Sequence, residues 1–231
     1  MKKSFLKNII RDYSYLFHLY EYSHSQKIFC IGRNKTGTTS MAKMMDDLGF
    51  HVGSQRLAEQ LAKSCKNNDY RKLLKFVKYH GVAFQDVPFS LPNTYEILDN
   101  VFPGSKFILT IRDSADIWYK SLISFHSKKF GNGLVPTKHD LIKAKYIHEG
   151  WIWEMNRIIY NTPEDDVYNE EILKKHYSDY NSSVIKYFKG RHDKLLVINL
   201  KDKEAGLKIS QFLNIKKRNV QVPWENRTKD L

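Results

Sequence analysis

The stretch Ile31–Ser40, IGRNKTGTTS, directly follows the apolar run KIFC and carries the residue types of an anion-binding loop. A nucleotide triphosphate loop of the form G-x-x-x-x-G-K-[ST] cradles phosphates with backbone N–H groups, and its lysine reaches the outer phosphates. Gly32, Gly37 and Thr39 fill three of those slots, but Thr38 stands where the lysine belongs and Lys35 lies three residues upstream. That arrangement suits one phosphate with a transferring group lying over it. Gly32 and Gly37 are expected to permit positive φ and close backbone approach. Thr38, Thr39 and Ser40 are expected to offer hydroxyl donors or to cap the helix that follows. The dipole of that helix would favour the bound anion.

Such a loop must sit between a strand and a helix, and the chain supplies both. Four short apolar runs recur: Lys27–Ile31, Val82–Gln85, Lys106–Ile111 and Lys194–Asn199. Their near-continuous apolar character fits strands buried on both faces of a parallel sheet. Helical patterns fall between them. Thr39–Leu48 ends at a capping glycine, Gly49. Residues 57–79 read as two helices, Asp116–Phe125 as one, and Glu204–Leu213 closes the series. Leu173, Tyr177, Tyr180, Val184, Tyr187 and Phe188 recur at helical spacing, with a start expected at Thr162-Pro163-Glu164. Alternating strands and helices predict an α/β fold of three layers, a central parallel sheet flanked by helices. Ligands in such sheets bind beyond the carboxyl ends of the strands.

The 231 residues suit a single domain from 27 to 231, preceded by an amphipathic helical segment, 1–26. That segment is expected to pack on the domain, with peripheral membrane contact as its second reading. A formal net charge of +13 favours anionic partners. Two cysteines, Cys30 and Cys65, make no disulfide framework and point to a reducing, cytoplasmic setting. No stretch approaches the roughly 18 apolar residues of a spanning helix. No Cys/His spacing suggests a metal site, and no nucleic-acid motif is present.

The segment Arg33–Ser40 resembles the 5′-phosphosulfate loop of the sulfotransferases. Lys35-Thr36-Gly37-Thr38-Thr39 matches each position of their [KR]-[ST]-G-[ST]-[ST] core, and the longer form resembles a bacterial-type group. The resemblance spans roughly residues 27–228. It implies a P-loop-like sulfotransferase fold and a sulfuryl donor, 3′-phosphoadenosine 5′-phosphosulfate (PAPS), which leaves as adenosine 3′,5′-bisphosphate, with no metal. Arg33, Asn34, Lys35, Thr36, Gly37, Thr38, Thr39 and Ser40 would then surround the 5′-phosphosulfate. The family holds the 3′-phosphate with an arginine after a later strand and a serine on the next helix. Arg112 and Ser121 match by position, although Ser114 replaces the usual proline and the spacing is nine where eight is common. Ser124 is the alternative serine. Asp86, in Asp86-Val87-Pro88, stands where the cytosolic enzymes place a catalytic histidine, so Asp86 would be the base and Lys35 the group that steadies the departing oxygen. His80 and His126 are the alternative bases. Arg227 or Lys229 would close over the 3′-phosphate.

Residues 125–165 read as a helical acceptor-side insert. Trp118, Tyr146, Trp151, Trp153 and Tyr160, mixed with His126, Lys128, Lys129 and His148, fit a pocket for a small-molecule or glycan acceptor, or equally the core of that insert. The expected activity is transfer to a hydroxyl or amine. The competing readings are a P-loop kinase or NTPase, against which the absent lysine at position 38 speaks, and a non-catalytic basic protein binding polyanions.

Overall fold

The structure is a computed structural model and describes residues 18–215, 222 and 223. Arg227, Lys229 and the first part of the N-terminal helical segment lie outside the described residues; residues 18–24 are helical. Four strands, β1 (Ile28–Cys30), β2 (Ala83–Gln85), β3 (Lys106–Ile111) and β4 (Leu195–Asn199), form a wholly parallel sheet in the order β2-β1-β3-β4. Phe29 pairs with Phe84 on one side and Phe107 on the other. The apolar runs are buried on both faces in β1 and β2, as their composition predicts, whereas β4 at the sheet edge is only partly covered. The order reverses beside β1: the chain first adds β2 on one flank, then β3 on the other. This is the switch point at which α/β sheets open a crevice for ligands.

Two apolar clusters sandwich the sheet. On one face Ile28, Cys30, Ile108 and Ile198 pack against Met41, Met44 and Met45 of α1 (Thr38–Asp47) and Ile209, a residue of the last helix. Gly49, at φ 88°, ends α1 as the sequence predicts: its N–H donates to Asp46 and that of Phe50 to Met45, a Schellman closure. The other face is larger and aromatic. Phe29 lies within 5.3–5.9 Å of Phe84, Phe89 and Phe107, centroid to centroid.

The expected pair of helices in 57–79 is three: α2 (Gln55–Glu59), α3 (Ala62–Lys66) and α4 (Arg71–Tyr79). Leu57, on the first of them, is 48% exposed. After α5 (Thr94–Val101) and β3 comes α6 (Ala115–Phe130), capped by Ser114 accepting from the Ile117 N–H. Helices α7 (Lys138–Lys143) and α8 (Trp151–Ile159) follow. The helix expected to start at Thr162-Pro163 does not. Thr162 is buried, its hydroxyl donating to the Val167 carbonyl at 2.9 Å, and this holds a turn. Asn169 caps α9 (Glu170–Tyr187) instead. The predicted stripe of α9 is buried through Leu173, Tyr177, Tyr180 and Val184, and its tyrosines reach the strand ends. The Tyr180 hydroxyl donates to the Ile31 carbonyl at 2.8 Å, and Tyr177 accepts from the Arg112 N–H at 2.9 Å. The last helix is α10 (Ala205–Phe212). No helix among the described residues is long and apolar enough to cross a membrane.

Candidate active site

Residues 32–37 leave β1 and turn into α1. Gly32 is required by closeness rather than by positive φ: a Cβ there would lie 2.0 Å from Thr110 Oγ1 and 2.6 Å from the Thr110 carbonyl. Thr36 closes the same contact, its hydroxyl 2.6 Å from both the Arg33 carbonyl and Thr110 Oγ1. Gly37 does hold a positive φ, 102°, and is itself the N-cap of α1. It brings no side-chain oxygen to cap the helix, and a helix N-terminus begun by glycine suits an anion. The hydroxyls expected to cap the helix do not supply this cap. Thr38 instead donates to Asp86 Oδ2 at 2.9 Å.

The loop is held from behind by aromatic residues. Trp118 is fully buried, stacks on Tyr177 at 4.7 Å, and donates from Nε1 to the Asn34 carbonyl at 2.9 Å. It is therefore a support of the loop and not a pocket wall. Tyr160 donates to Asn34 Oδ1 at 3.1 Å. The Arg33 side chain turns inward, 1% exposed, with its guanidinium 5.0 Å from the Tyr180 ring and one nitrogen on the Ser90 carbonyl. It braces the turn after Asp86 from inside the core and does not line the cavity.

Lys35 and Arg112 meet at the crevice. Arg112 Nε donates to the Lys35 carbonyl at 2.7 Å. The nearby carboxylates do not absorb the arginine: Asp113 pairs with Lys201 at 2.8 Å and Asp116 with Lys174. Lys35 adopts φ 66° and sets its ammonium 3.7 Å from the centroid of Phe125. Burial, then Arg112 and Lys129, lower its pKa to about 8, against a smaller pull from Asp86. Ser121 lies half-buried on α6 and Ser124 exposed one turn on; the cavity wall contains Arg112 but neither serine.

Asp86 sits just past β2 in a left-handed conformation, φ 57°, ahead of the cis Val87-Pro88 bond. Its Oδ1 accepts the Val87 N–H and its Oδ2 the Thr38 hydroxyl, both at 2.9 Å. Burial raises its pKa, opposed by Thr38, Arg33, the Val87 N–H and Lys35. The alternative bases fare worse. His126 donates or accepts at Tyr168 Oη, 2.6 Å from its Nδ1, and burial followed by Lys35 and Lys129 lowers its pKa to about 3, too weak to take a proton efficiently. His80 caps the end of α4, stacked on Phe76, away from the cavity.

A cavity of about 230 Å³ opens from the loop. Lys35, Thr38, Thr39, Asp86 and Arg112 form its polar end, and its walls come from α6, α7, α8 and the start of α9. Of the aromatic and basic residues picked out between 118 and 160, Tyr146, Trp151, Tyr160, His126 and Lys129 line it; Trp153, Lys128 and His148 do not. One lining residue was not legible beforehand. Glu59, on α2, is 8% exposed and faces the same cavity. Nothing in QRLAE distinguishes it from a solvated helix carboxylate. Both cysteines are buried free thiols.

A loop at the end of β1, a helix N-terminus and two cations meet at the switch point of a parallel sheet, beside one cavity, an arrangement suited to an anionic ligand. A family model for the sulfotransferase domain matches residues 27–231, and the chain belongs to that family of transferases. A search of curated proteins found no match.

Proposed function

We propose that the protein moves a sulfuryl group from PAPS to a hydroxyl or amine by in-line displacement. The observation that carries this is the convergence of Lys35, Arg112 and Asp86 on one cavity, each side of the loop held by its own bond, Arg112 on the Lys35 carbonyl and Thr38 on Asp86. The residues fit the donor: the open N-terminus of α1 and the loop N–H groups suit a 5′-phosphate, and Arg112 offers a planar fork for a second phosphate. Ser121 and Arg227 remain proposed partners of that second phosphate, with Arg33, Asn34, Thr36, Gly37, Thr39 and Ser40 framing the loop.

When bound, PAPS supplies the activated sulfuryl group. Lys35 holds a positive charge where negative charge develops on the departing phosphate oxygen. Asp86 orients Thr38 and keeps a carboxylate beside the acceptor's reacting atom. The residues of 125–165 that wall the cavity hold the acceptor and exclude water. Lys35→Ala is expected to reduce transfer of labelled sulfate from PAPS by at least about 100-fold, the scale of losing one preorganised charge-stabilising donor. Transfer undiminished in that variant would remove Lys35 from the mechanism.

A further inference from the structure

We propose that Glu59 is a second carboxylate at the reacting centre, that it receives the acceptor's proton, and that this acceptor is a compact alcohol on an apolar ring. The proposal rests on the sulfuryl-transfer reading and deepens it.

Asp86 is poorly placed to be the proton's destination. Each of its oxygens already accepts a short hydrogen bond, and one of these ties it to the phosphate loop. Glu59 differs. Its Oε1 accepts only long contacts, 3.4 Å from Gln55 Nε2 and 3.4 Å from Tyr146 Oη. Gln55 spends its short bond elsewhere, on the Val87 carbonyl at 2.7 Å, so α2 is pinned to the turn carrying Asp86. The two carboxylates thus share one cavity, Glu59 facing it with no short donor of its own. A buried carboxylate in that state is costly unless a ligand supplies the donor. An acceptor hydroxyl would.

Four groups face Glu59 across the cavity and on its own helix: Asp86, Lys129, Tyr146 and Gln55. Burial and then Asp86 raise its pKa to about 7, while Gln55, Tyr146 and Lys129 pull it down. A base near neutral matches the operating range of proton transfer.

The far wall decides the acceptor class. Leu122, Phe125, Leu141, Trp151 and Met155 are apolar, and Asn156 is turned to the Val167 carbonyl at 3.1 Å. Lys129, His126 and Tyr160 also line the cavity, but a sugar would still turn several hydroxyls onto these five apolar side chains without partners. The volume, about 230 Å³, is below the roughly 300–1,000 Å³ of drug-sized sites. In the step, the acceptor oxygen bonds to sulfur and the bond from sulfur to the 5′-phosphate oxygen breaks. Its electron pair leaves with adenosine 3′,5′-bisphosphate, and the hydroxyl proton goes to Glu59, which returns it to water after release.

The test uses the full chain, labelled PAPS, and 2-naphthol against glucose, with Glu59→Gln, Glu59→Asp and Asp86→Asn beside wild type. Each protein is also titrated with adenosine 3′,5′-bisphosphate in a melting assay, and with 2-naphthol on the bisphosphate complex by calorimetry. The expected result is turnover of 2-naphthol and not glucose. Glu59→Gln should lose about 10²–10⁴-fold in kcat, the worth of general base catalysis, with its bisphosphate-induced melting shift intact and its naphthol affinity lowered. Glu59→Asp should recover part of the rate, and the acid limb of the wild-type kcat profile should vanish in the residual Glu59→Gln rate. A Glu59→Gln kcat within tenfold of wild type overturns the proton role. Turnover of glucose alone, or of neither acceptor by a protein that binds the bisphosphate, overturns the acceptor class. Absence of any bisphosphate shift in wild type would instead sink the underlying sulfuryl-transfer reading.

Discussion

Lys35 and Asp86 both hold a left-handed backbone, at φ 66° and 57°. Such conformations cost of order 1–3 kcal/mol each and persist where surrounding contacts impose them. Here the contacts are the Arg112 bond to the Lys35 carbonyl and the Thr38 and Val87 bonds to the Asp86 carboxylate. The strained turns aim one cation and one anion into a shared cavity, which links local backbone directly to chemistry. The titrations of Glu59 and Lys35 set a pH window. Glu59 must be ionised to accept a proton, and its pKa is raised by burial and then by Asp86 to about 7, so activity falls as pH drops through that value. Lys35 must stay charged, and burial followed by Arg112 and Lys129 lowers its pKa to about 8, so activity falls again above it. A bell-shaped profile of kcat/KM is expected, its acid limb belonging to the Glu59–Asp86 pair jointly. A flat profile between pH 6 and 9, measured by sulfate transfer, would contradict these assignments. Asp86 and Lys35 were legible because they sit at fixed offsets from strand ends. Glu59 was not, because the groups that surround it, Asp86, Lys129 and Tyr146, are remote in sequence.

At the scale of elements, the β1–loop–α1 unit acts as one piece with the ends of β3 and α9. Its tight spots predict where substitution fails. At Gly37 a side chain meets both φ 102° and a Cβ 2.6 Å from Leu200 Cδ1. Gly37→Ala is expected to destabilise the protein by about 1–3 kcal/mol through strain and overpacking, and to weaken bisphosphate binding as well. Urea unfolding with and without the bisphosphate checks both, and an unchanged midpoint with unchanged affinity would refute the argument. The strands and the α9 stripe were readable because parallel strands and buried helices print their periods in the apolar residues. The missing helix start at Thr162-Pro163 shows the limit. Proline at a first helical position is a local signal, and here the Thr162 hydroxyl on Val167 and Asn156 won a turn instead. The three short helices α2, α3 and α4 follow the same lesson: a run of helix formers does not reveal where tertiary packing breaks it.

Across the whole molecule, the sheet's switch point collects the chemistry while its opposite end is held by ion pairs. Asp99, 6% exposed on α5, accepts from Arg191 at 2.6 Å and Lys194 at 3.1 Å, beside β4. Burial alone would raise its pKa, but Arg191 and Lys194 together lower it. Its contribution is therefore full above the usual carboxylate range and is lost as pH falls below it. Arg191 and Lys194 are 38% and 18% exposed and would be rehydrated, so Asp99→Ala is expected to cost about 1–3 kcal/mol, the loss of charge-assisted hydrogen bonds at a half-buried site, with little change in KM; a thermal melt at neutral pH checks this, and a Tm unchanged would contradict it. At the other end of the sheet, the loop with lysine displaced to position 35 is proposed to take PAPS rather than a nucleoside triphosphate. The most direct measurement is the melting temperature with adenosine 3′,5′-bisphosphate and, separately, with ATP and Mg²⁺. At a hundredfold excess over its Kd, the bisphosphate is expected to stabilise the protein by about 2.7 kcal/mol, a rise of several degrees, with ATP and Mg²⁺ giving little. Stabilisation by ATP and Mg²⁺ with none from the bisphosphate would contradict the account.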